Sequence, residues 1–200
     1  MIFVQIFPMI LSNIYSLMAK QIERSKISSV GIAFIDSTKL AVCHNKRINQ
    51  HRVLTDSASR GKSSVEWFYG FKLHLICDHV GQFVSYCITT DNVDDRKVLP
   101  DLVQSSKLKG KLFGDRSYIG KKLESSSAEM GVQLITRVKR NMKPQALDPF
   151  DHAVLRKRGI IESPFNQMKS QFDLEHTRHR SKIGLLTTIF SALTLDLLRK

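Results

Sequence analysis

Cysteine is scarce in this chain, and negative charge is in short supply. Three cysteines (Cys43, Cys77 and Cys87) occur in 200 residues, with no C-x-x-C pair. An odd, scattered set argues against a secreted disulfide framework and for free thiols in a reducing compartment. It also disfavours zinc, which wants four ligands at tight spacing; Cys43, His44 and His51 are the nearest approach. Asp and Glu number 18 against 31 Lys and Arg, leaving +13 at pH 7. That deficit selects a polyanionic partner, nucleic acid first and an acidic membrane surface second, without bearing on fold. An uninterrupted membrane-length apolar run is lacking too. Residues 1–19 carry no charge, but Gln5, Pro8, Ser12, Asn13 and Ser16 break them up. A signal peptide would need a positive n-region, which is absent. A core or domain-connecting helix is the expectation, beside a chain that begins partway through a longer protein.

What is present is ordinary globular material, 42% hydrophobic and 24% charged, which argues against a disordered tail. Short apolar runs predict strands over 30–35, 71–77, 83–89, 111–114 and 132–138. The residues 79–82 carry a hairpin signal. Helical spacing predicts helices over 94–105, 121–130, 151–172 and 183–199, the second closing on Gly131. Strands alternating with helices indicate an α/β sheet flanked by helices. Residues 40–67 read as a long basic insertion, and loops of that length are functional or disordered.

Three carboxylates stand where chemistry would be expected. Asp36 ends the first strand, Asp115 ends a later one, and Glu162 lies in a basic helix, each after an apolar pair or run. Paired carboxylates would give a hard divalent ion the oxygen ligands it prefers. Two such ions about 3.5–4 Å apart stabilise both oxygens of an in-line phosphoryl transfer. Taken singly, each Asp at a strand end reads first as a turn residue or helix cap. Arg158 and Lys169 share one helical face with Glu162, as phosphate-binding cations or as a plain solvated stripe.

Five segments then match a known pattern together: IDSTKLAVCHNKR, GKSSVEWFYGFKLHL, KLFGDRSYIGKKL, RGIIESPFNQMK and EHTRHRS. Over roughly residues 30–198 the chain resembles the DDE transposases of bacterial insertion sequences. The resemblance implies a ribonuclease-H-like mixed sheet flanked by helices, in a catalytic domain spanning residues 30–200 behind an N-terminal helical segment, 1–29. It implies that Asp36, Asp115 and Glu162, 79 and 47 residues apart, are the catalytic triad. They would bind two Mg2+ ions, with Mn2+ as a substitute. Arg158 and Lys169 would belong to the family's Tyr-Arg-Glu-Lys signature. The implied reaction is metal-dependent cleavage at a transposon end, followed by strand transfer. Implied partners are double-stranded DNA and a second copy of the chain, on the nucleoid in the cytoplasm and away from membranes. A simple nuclease of the same fold, or a silent DNA-binding remnant, is the alternative.

The chain also departs from that pattern. The signature Tyr falls at Leu155, and Pro164 sits two residues after Glu162, where a helix interior loses a hydrogen bond. A helix restarting with Ser163 as N-cap and Pro164 at N1 is the expectation. No helix-turn-helix precedes Asp36, so a copy shortened at its N-terminus is expected. Lys46, Arg47, Arg52, Arg60 and Lys62 read as a phosphate-binding loop, and Arg178 and Arg180 as a DNA-facing turn. Trp67 would stack on an unpaired base while its aromatic neighbours enter the core. Asp91, Asp94 and Asp95 read as a loop and helix N-terminus, with Asp94 in reserve for Asp115 and Asp173 for Glu162.

Overall fold

The computed structural model describes residues 12–20, 22–23, 31–62, 67–138, 142, 147–172, 174, 179 and 181–198, with only the backbone of Lys62. In chain order the elements are α1 (12–20), β1 (Ile32–Cys43), β2 (Ser59–Lys62), β3 (Trp67–Asp78), β4 (Phe83–Thr90), α2 (Asp95–Ser106), β5 (Gly110–Gly114), α3 (Lys121–Glu129), β6 (Val132–Thr136), α4 (Pro149–Arg156), α5 (Gly159–Phe172) and α6 (Lys182–Leu198). The mixed α/β architecture expected from the alternation of strands and helices is the one observed. β3 pairs antiparallel with β1, and β1 pairs parallel with β5, which pairs parallel with β6. The outer edge of β3 is shared: its first residues pair with β2 and the rest with β4.

Local chemistry explains most boundaries. The β3–β4 turn is held by Asp78, whose carboxylate accepts from the backbone N–H of Val80 (3.0 Å) and of Gln82 (2.9 Å). Gly81 takes the positive φ of 83° that this turn requires. Asp94 caps α2 by accepting from Arg96 N–H at 3.0 Å, and Pro149 opens α4 behind the N-cap Asp148.

Two expectations fail here. The stretch 40–67 is not one long insertion, because β1 runs on to Cys43 and β3 begins at Trp67. Their ladder extends from Ala33↔Asp78 to Cys43↔Tyr69. The polar residues Ser37, Thr38 and Lys39 hid this half of β1, although cross-strand partners stabilise it whatever its local apolarity. The helix expected over 151–172 is two helices, and the break falls at Lys157 and Arg158 instead of Ser163. Pro164 therefore lies inside α5, in its second turn.

Side chains alternate across the sheet and fill two cores. On one face Phe34, Leu73, Leu75 and Phe113 pack with Ile161, Phe165 and Met168 of α5, Ile189 and Leu193 of α6, and Met18 of α1. On the other, Ala33, Ile35, Ile76 and Leu112 pack with Val98, Leu99 and Leu102 of α2 and Leu123 of α3. Neighbours on β1 thus address different helices. No helix among the described residues is long and apolar enough to cross a membrane.

Candidate active site

Phe34 of β1 pairs with Phe113 of β5, and Asp36 and Asp115 each lie two residues beyond that pair. By alternation Asp36 continues the Phe34 face, toward α5. One carboxylate oxygen accepts from the N–H of Ser37 at 2.8 Å, and the other from Arg158 Nη2 at 3.1 Å. Burial pushes the Asp36 carboxyl up to about 6. The Arg158 guanidinium and the Ser37 N–H pull the other way, and the charge of Asp115 adds to the rise. The two aspartates are therefore electrostatic neighbours.

Asp115 closes β5 and caps the short 3-10 turn Arg116–Tyr118, accepting from Ser117 N–H at 2.8 Å and from the Ser117 hydroxyl. The preceding Gly114 is closely approached by its surroundings. A Cβ there would lie 3.2 Å from both Ile35 and the Tyr118 ring, crowding the buried tyrosine on which the turn rests.

Glu162 is exposed in the first turn of α5, one turn beyond Arg158. Among the described residues no group of three His, Cys, Asp or Glu is arranged to hold a metal ion. The structure thus brings Asp36, Asp115 and Arg158 together and leaves Glu162 on the helix beside them. The donor chemistry fits a hard divalent ion: the pair offers carboxylate oxygens, and burial leaves the Asp36 charge wanting more than one guanidinium bond.

Of the expected DNA-facing residues, Lys46, Arg47, Arg52 and Arg60 are exposed around the 3-10 turn Asn45–Gln50 and strand β2. Trp67 stays 48% exposed with the Arg60 guanidinium 5.1 Å from its ring centre, while Phe68 and Tyr69 enter the core. Lys169 is half-buried on α5. The Lys62 side chain, Arg178, Arg180 and Asp173 lie outside the described residues.

Sequence reasoning missed what lies under Asp36. The Ser37 hydroxyl donates to Asp95 at 3.0 Å, and Lys72 of β3 ion-pairs the other Asp95 oxygen at 2.9 Å. Ser37 thereby ties β1 to the start of α2. Asp94, by contrast, is spent as the α2 cap and on Arg96. Spacing marks Asp95 only as part of a helix N-terminus, because Lys72 reaches it only through the sheet.

A structure of piggyBac transposase, in a synaptic complex with hairpin DNA, superposes with a TM-score of 0.58 at 10% identity. The match covers 86% of this chain and 48% of that one, so the chain spans about half of it, and the likeness is one of fold. No curated protein matches. The family model described as "Transposase DDE domain" matches residues 26–182, most of the chain and every element from β1 to α5. The chain belongs to the transposase DDE domain family.

Proposed function

We propose that this chain is the catalytic domain of a transposase that cuts and joins DNA strands with the help of divalent metal ions. The observation that carries the reading is the juxtaposition of Asp36, inside β1, and Asp115, just after β5, each two residues past the parallel pair Phe34–Phe113, with Arg158 bonded to Asp36. Asp36 and Asp115 would hold Mg2+ or Mn2+, with Glu162 as the third ligand. Bound there, the ions would neutralise charge on the scissile phosphate and sharpen the attacking oxygen. Arg158 orients the Asp36 carboxylate and brings positive charge to the rim, the electrostatic contribution that dominates phosphoryl transfer. Lys46, Arg47, Arg52, Arg60, Lys62, Lys169, Arg178 and Arg180 would take DNA phosphates, and Trp67 a base face, on a homodimer.

A catalytically silent DNA-binding remnant is the second reading. It is favoured by the Arg158 bond that already occupies an Asp36 oxygen, and by the position of Glu162 apart from the aspartate pair. Plasmid nicking in Mg2+ and in Mn2+, run beside a DNA-binding assay, separates the two. Nicking that falls by more than about 100-fold in Glu162→Gln, since even outer partners of a metal ligand cost about 10- to 100-fold, with DNA affinity level or higher, supports the transposase. Tight DNA binding with no nicking in either metal supports the remnant.

A further inference from the structure

A cleft of about 510 Å³ opens between the beginnings of α2 and α3, lined by Asp94, Arg96, Lys97, Gly120, Lys121, Lys122 and Leu123. Four of its seven lining residues are cationic by type, but the surface of the cleft is mostly apolar, so their stems line it and their charges border it. Arg96 is held by Asp94 through both carboxylate oxygens, which cancels that charge. Lys97, Lys121 and Lys122 are exposed and make no ion pair among the described residues. Arg116, exposed beside Asp115, makes none either.

Position gives the cleft its meaning. Its α3 wall begins where the turn capped by Asp115 ends. Its α2 wall starts at the helix whose Asp95 accepts from Ser37, the neighbour of Asp36. Both walls are thus anchored to the residues that place the acid pair. Exposed cations follow Asp115 along the chain, Arg116 and then Lys121 and Lys122, with Lys97 on the other wall, and α2 and α3 pack on the sheet face opposite α5. A single small anion would need its cations to converge on one point. Lysines on two separate walls of an open cleft suit repeated phosphates instead.

We infer that this cleft is a second track for the phosphate backbone of duplex DNA, with Lys97, Lys121 and Lys122 as its contacts. The inference rests on the reading above that the acid pair acts on DNA, and extends the bound segment past the acids onto the α2–α3 side.

Charge-matched double variants test it. Lys121→Gln with Lys122→Gln removes two cleft charges; Lys107→Gln with Lys109→Gln removes two at the far end of α2. Binding of a labelled 30-bp duplex is measured by anisotropy between 50 and 200 mM salt, with thermal melting as the check on folding. The cleft variant should bind at least roughly fivefold more weakly, and its log–log salt slope should be shallower by about 2, one phosphate released per lysine. The far-end variant should move both far less. Equal effects of the two variants would overturn the track while leaving DNA as the substrate. Failure of the wild-type chain to bind duplex would overturn the DNA reading, and the track with it.

Discussion

Asp36 and Asp91 make an instructive pair. Burial raises both carboxyls to about 6, yet their surroundings have little in common. Asp36 has a guanidinium on one oxygen, a backbone N–H on the other, and a second aspartate close by. Asp91, just beyond β4, is 2% exposed, and neither oxygen finds a hydrogen-bond partner among the described residues. Lys72 lowers and Asp95 raises its pKa only from a distance. The carboxylate lies against β2, where a Cβ on Gly61 would come within 1.5 Å of its Oδ2. A raised pKa alone therefore does not mark a site. At Asp36 it accompanies partners that hold charge in a chosen geometry, and at Asp91 it reports desolvation left uncompensated.

The sharpest test of the contrast is substitution at each carboxylate. Asp36→Asn should reduce metal-dependent nicking by more than about 100-fold, since even outer partners of metal ligands cost about 10- to 100-fold. Asp91→Asn should leave nicking within about twofold of wild type, the ordinary scatter for a group outside the chemistry. If both variants lose activity together, the distinction collapses.

Packing supplies the next test. Gly61→Ala forces a methyl into the space of the Asp91 carboxylate and should destabilise the fold by about 1–3 kcal/mol, the range for overpacking. Urea denaturation would measure it, and the loss should shrink in the Gly61→Ala, Asp91→Ala double variant.

Removing the guanidinium tests Asp36 directly. In Arg158→Met the Asp36 carboxyl should titrate above 6, because the largest influence that lowers its pKa is gone. Carboxyl-carbon NMR on the metal-free protein would follow it. An unchanged titration would mean that the Ser37 N–H dominates instead.

The smallest effect is the pH dependence at Asp91. A folded-state pKa of about 6 against 3.8 for the free group means that folding favours the protonated form. The stability this gives is complete below about pH 4 and lost as pH rises through 6. Asp91→Asn should therefore be more stable than wild type at pH 8, by on the order of 1 kcal/mol. The two should converge toward pH 4. A constant difference across that window would show that the Asp91 carboxyl does not titrate as described.

Much of the fold was legible in advance, because its signals are short-range. The apolar runs near Asp36 and Asp115, the 79–82 turn and the cap Asp94 all act within a few residues and appear where the spacing put them, except that Asp36 lies inside β1 and does not end it. The second half of β1 was not legible, since Ser37, Thr38 and Lys39 earn their strand only by pairing with His74, Leu73 and Lys72. The break before α5 was misplaced for a related reason. Pro164 is the obvious local breaker, but Ile161, Phe165 and Met168 bury one face of a continuous helix, and that packing outweighs a single lost backbone bond.

By itself, then, the sequence determined the alternation of strands and helices, the basic surplus that selects a polyanionic partner, and three acids set after apolar runs. Tertiary structure alone decided that Arg158 meets Asp36 across 122 positions of chain, that Lys72 and Ser37 converge on Asp95, that Asp91 is sealed beneath Gly61, and that lysines of two helices face one cleft. The physical reason is range. Propensity, capping and periodicity are written in neighbouring residues, whereas ion pairs, desolvation and cleft walls depend on sheet register and helix docking, which the whole chain settles together.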